Sequence, residues 1–128
     1  MDVAEHWHAF AWVGHERPAD DIRVQPSQPT PPLEVSHWLK KPKQHVAKTF
    51  KNSSSGVAAA SQWMRTGGEE QQYASEESFP LDARMVYVDD SLSRGADVVW
   101  GYYSKKLRYV SRALVACPRE GKPCPYGH

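Results

Sequence analysis

Cysteine is scarce in this chain: among 128 residues only Cys117 and Cys124 occur, both within the last twelve positions. A disulfide network therefore cannot hold the fold, and a bridge between these two would close a small terminal loop and add little stability. This usage fits a reducing, cytoplasmic setting. Long apolar runs are missing as well. Nothing approaches the roughly 20 consecutive apolar residues of a membrane-spanning helix, and the longest apolar-rich stretch, Ala9 to Val13, is too short for the core of a signal peptide. The expectation is a soluble, unsecreted protein with no membrane partner. There is no heptad pattern and no internal repeat. The run from Lys51 to Gly56 lacks the Gly-Lys-Ser/Thr ending of a phosphate-binding loop, so its three serines read as helix caps.

What remains is an ordinary globular composition, with 40% hydrophobic, 11% aromatic and 24% charged residues. A chain of this length predicts one domain over 1–128, able to bury roughly two-thirds of its unfolded surface around one core. The net charge of +1 conceals alternating blocks: −3 over 1–30, +5 over 31–66, −6 over 67–97 and +5 over the remainder. Such blocks either neutralise one another within the fold or leave a basic surface for a polyanion.

Alternation from Val3 to Val13 predicts a first strand, with Trp7, Ala9, Ala11 and Val13 on one face and His6, His8, Phe10 and Trp12 on the other. Five prolines between Pro18 and Pro32 make 17–32 an extended connector. Thr30 before Pro31 resembles a helix start, leading into one or two turns through Val35, Trp38 and Leu39 that end at Pro42. Val46 and Phe50 then stand four residues apart. Asn52 to Ser55 supply caps for the clearest helix, which carries Val57, Ala60, Trp63 and Met64 and stops at Gly67 and Gly68. Residues 68–78 read as an acidic solvated loop. Arg84–Val88, Ala96–Tyr103 and Leu107–Ala116 read as a three-stranded antiparallel meander, with turns at Asp89–Gly95 and Ser104–Lys106. The fold class that follows is α+β: a mainly antiparallel sheet, formed by the N-terminal strand and the meander, with one main helix packed on one face.

Three arrangements carry chemistry. Trp100 and Tyr102, followed by Lys105, Lys106, Arg108 and Arg112, combine rings on which bases stack with cations that neutralise phosphates. The leading expectation is accordingly a small non-catalytic protein that engages nucleic acid, or a partner that handles it, through that surface. Second, His6 and His8 point to one side of a strand, about 7 Å apart along it, and can share zinc or another divalent metal with a third ligand from His15, His37, His45 or an acid. That pattern would serve a small metal-dependent enzyme or a metal-binding protein. In the tail, Cys117, Cys124 and His128 form a C-x6-C-x3-H run that resembles the end of a CCCH zinc finger and supplies three of the four ligands a closed site requires. Residues 117–128 otherwise read as a proline-stiffened tail. Third, the acidic 69–90 region could contact a basic protein, as an interaction module or inhibitor does.

Overall fold

The computed structural model describes residues 4–119 and 121–127. Four strands, β1 (His6–Gly14), β2 (Lys48–Lys51), β3 (Val98–Tyr103) and β4 (Tyr109–Cys117), build one antiparallel sheet in the order β2-β1-β4-β3. Three helices, α1 (Asp20–Arg23), α2 (Ser54–Glu70) and α3 (Leu81–Ser93), and two 3₁₀ segments, Val35–Lys40 and Lys43–His45, complete the described residues. The α+β class expected from the sequence holds.

Central strand β1 is covered on both sides, and this explains why both of its alternating faces carry rings: every residue from His6 to Phe10 is buried. On one side Trp7 and Ala9 join Leu114, Val98 and Trp100 beneath Met64 of α2 and Met85, Val88 and Leu92 of α3. On the other, Phe10, Ala113 and Val115 pack against Trp38, Val35 and Leu39 of the first 3₁₀ segment and against Tyr126 of the tail. Phe10 and Trp38 stack with ring centroids 4.8 Å apart and planes at 20°. Burying each such side chain is worth about 1.5–3 kcal/mol, so the second face is a core in its own right.

The principal departure concerns Arg84–Val88, expected as a meander strand. It lies within α3, because Arg84, Met85, Val88, Ser91 and Leu92 bury one stripe at helical spacing. The Asp89–Asp90 pair expected in a turn is helical for the same reason. The fourth strand is instead β2, which pairs with β1 through Trp7 opposite Phe50 and His8 opposite Thr49; Val46 and Phe50 share no helix. Helix α2 begins as expected, the Ser53 hydroxyl accepting from the Gly56 amide at 3.1 Å, but runs through Gly67 and Gly68 to Glu70. Both glycines are buried, and a Cβ at Gly67 would collide with the Arg112 side chain. They are used for close approach, not termination. Thr30 caps no helix; the 3₁₀ segment follows Glu34. Within the connector Asp20–Arg23 form a single helical turn, and in the acidic loop Tyr73 bridges to Ser104.

Candidate metal centre

Strand alternation places His6 and His8 on the face of β1 away from α2 and α3. Antiparallel pairing sets His6 opposite Cys117, the last residue of β4, and opposite Lys51 of β2. Cys124 arrives from beyond the sheet. The tail doubles back across this face and is fastened by Tyr126, whose hydroxyl donates to the Lys41 carbonyl at 2.8 Å and lies 3.3 Å from that of Trp38. The Tyr126 ring meets His8 edge-on at 4.9 Å.

The result is a cluster of two imidazoles and two thiols. His6 Nε2 lies 3.2 Å from His8 Nε2, which lies 3.3 Å from Cys124 Sγ. One donor atom from each of His6, His8, Cys117 and Cys124 falls within 4.8 Å of all the others. Tetrahedral zinc, with Zn–N near 2.0–2.1 Å and Zn–S near 2.3 Å, requires ligand-to-ligand edges of about 3.3–3.8 Å, so small side-chain adjustments close this set around an ion. His6, His8 and Cys117 are buried and Cys124 half-buried. His8 Nδ1 is 2.8 Å from the Thr49 hydroxyl, a contact that fixes the ring and turns Nε2 inward.

Burial, and then the neighbouring Cys124 thiol, push the Cys117 thiol up to about 12. Burial, and then the two cysteines, push the Tyr126 hydroxyl up to about 12. On its own the pocket therefore keeps Cys117 neutral. A divalent cation inverts that logic, since a coordinating thiol is deprotonated outright.

The sequence suggested two partial sites, His6 with His8 and Cys117 with Cys124 and His128; the fold merges the first pair with the two cysteines. His128 lies outside the described residues. The third-ligand candidates are elsewhere: His37 pairs with Glu34 at 3.1 Å, His45 belongs to the second 3₁₀ segment, and His15 is exposed beyond β1. The sequence carried no signal joining the two motifs, because only the pairing of β1 with β4 sets His6 against Cys117.

The proposed nucleic-acid surface is divided. Trp100 is 7% exposed within the core under α3. Half-buried Tyr102 donates its hydroxyl to the Gln71 carbonyl at 2.6 Å. Arg112 Nη1 donates to the Trp63 carbonyl at 2.7 Å, with its guanidinium 4.2 Å from the Trp63 ring centroid. Lys105, Lys106 and Arg108 are exposed at the β3–β4 turn, where Leu107 has φ 60°. The acidic region is partly tied internally, through Glu76 to Arg84, Asp82 to Arg65 and Asp90 to Arg94.

No helix of the described residues is long and apolar enough to cross a membrane. Compared with protein families, with curated proteins and with solved structures, the chain matches none.

Proposed function

We propose that this is a small metal-binding protein whose His6, His8, Cys117 and Cys124 hold one zinc ion in a closed, structural site. The observation that carries the reading is the convergence of four ligand-type side chains from three separate parts of the chain, with donor atoms within 4.8 Å. Two sulfurs and two nitrogens suit zinc better than the oxygen-seeking cations. Four protein ligands leave no position for substrate, so the ion's role is to fasten the tail to the sheet. With metal on Nε2, His8 donates its Nδ1 hydrogen to Thr49, the outer contact that such ligands commonly make.

Zinc titration of the untagged protein tests this. The wild type takes up one equivalent per chain, with thiolate-to-metal absorption when cobalt replaces zinc. The His6→Ala, His8→Ala double variant and Cys124→Ser each lose at least about tenfold in affinity. Because protons compete for all four ligands, affinity falls as pH is lowered. Uptake that is unchanged in both variants would remove the assignment.

A further inference from the structure

Next to the metal centre, between the first 3₁₀ segment and the tail, lies a cavity of about 340 Å³. Its lining is basic on residues from two distant parts of the chain. Lys40 and Lys122 line it, together with Arg119, His37 and Ser36. Arg119 is anchored by Asp97, which accepts from a single guanidinium nitrogen, Nη1, at 2.8 and 2.9 Å; the planar fork has further donors. His37 faces Glu34. Among the described residues every ion pair uses arginine or histidine and none uses lysine. Lys40 and Lys122 are both exposed and, among the described residues, carry their charge without an acidic partner. They come from segments far apart in sequence and meet only because the tail folds back. A concave site lined by one sign of charge concentrates its field and draws in anions.

Leu39, Pro123 and Pro125 add an apolar part to the lining. Rigid, flat-sided prolines beside an aliphatic side chain suit a planar ring system, and the volume reaches the lower end of small-ligand sites. We infer that this cavity binds a phosphate ester carried on a flat ring, that is, a nucleotide, with Lys40, Lys122 and Arg119 on the phosphate and Leu39, Pro123 and Pro125 against the base. The same chemistry is presented by a free mononucleotide and by one unit of a single strand. The site is distinct from the Trp100–Arg112 surface; Cys117 also lines it, but the tail that carries Lys122, Pro123 and Pro125 is held by Tyr126 as well as at the cysteines, so the inference rests on the cavity and its lining.

Nuclear magnetic resonance titration of the full chain, as purified and at low salt, tests this with adenosine, adenosine 5′-monophosphate and a short oligothymidylate. The monophosphate should shift the amides of Lys40 and Lys122 while adenosine does not. The double variant Lys40→Gln, Lys122→Gln, both surface changes that leave the thermal melt in place, should weaken binding by about tenfold or more. Reversal of Lys105 and Lys106 to Glu should leave it unchanged. If only oligothymidylate binds, with the same dependence on Lys40 and Lys122, the phosphate belongs to a strand, and the log–log salt slope should fall by about 1.4 in the double variant. Binding of neither probe, binding indifferent to Lys40 and Lys122, or binding lost through Lys105 and Lys106 would each overturn the inference.

Discussion

Arg112 is charged, yet it is half-buried, held by a carbonyl and a ring of the same residue, Trp63. A hydrogen bond from a charged donor is worth about 1.5–3 kcal/mol and a desolvated cation–π contact about 2 kcal/mol, with overlap between the two. Arg112→Leu should therefore cost about 3 kcal/mol in urea unfolding; a loss below about 1 kcal/mol would show that the guanidinium is not anchored there. Tyr102 tests a second buried polar contact. Burial raises its hydroxyl above the ordinary 10, against the opposing pull of Arg84 and Arg112. In the folded state the proton is therefore held more tightly than in the unfolded chain, so this contribution is complete below pH 10 and declines as pH rises beyond it. Tyr102→Phe should be less stable than the wild type by about 1 kcal/mol at neutral pH, and the gap should narrow in melts above pH 10. A gap that widens there would contradict the assignment.

The β2–α2 joint depends on one residue without a side chain. A Cβ at Gly56 would overlap the Lys51 carbonyl oxygen, a backbone atom that cannot swing aside. Alanine normally favours a helix over glycine by about 1 kcal/mol, but Gly56→Ala should here destabilise the protein by about 3 kcal/mol through overpacking, and a chemical-denaturation curve unchanged or shifted to higher denaturant would refute it. Much at this scale could be read in advance. The alternation of β1, the serine cap of α2 and the aromatic β3 and β4 are local signals, and local signals survive into the fold. The segment 81–93 could not be read in the same way: Met85, Val86, Tyr87 and Val88 have strand-like composition, and only packing against α2 and β3 selects the helical stripe of Met85, Val88 and Leu92. Gly67 and Gly68 look like a helix stop until Arg112, Leu81 and Trp100 are brought against them. The candidate metal site was half legible. Each of its two motifs stood out by spacing, but joining them required the register that sets His6 against Cys117.

Across the whole molecule the charge blocks become spatial. Acids of the 67–97 block are tied to Arg65, Arg84 and Arg94 around α2 and α3, whereas Lys40, Lys43, Lys48 and Lys122 line cavities beside the His/Cys cluster on the other side of the sheet. The His/Cys cluster is the point where that second side is closed, since the tail bearing Cys124 also carries Tyr126 onto Trp38 and Lys41. A tightly held ion should therefore stabilise the entire fold. At free zinc about a thousandfold above Kd the gain is about 4 kcal/mol, visible as a higher melting temperature that a chelator reverses, with amide protection gained over residues 121–127. A melting temperature indifferent to zinc and chelator would leave the tail held by Tyr126 alone.

The most direct measurement is zinc-edge X-ray absorption on the protein loaded with one equivalent of metal. The account predicts a shell of two nitrogens at about 2.0–2.1 Å and two sulfurs at about 2.3 Å. A shell of oxygen and nitrogen without sulfur, or one unaltered by Cys124→Ser, would contradict it.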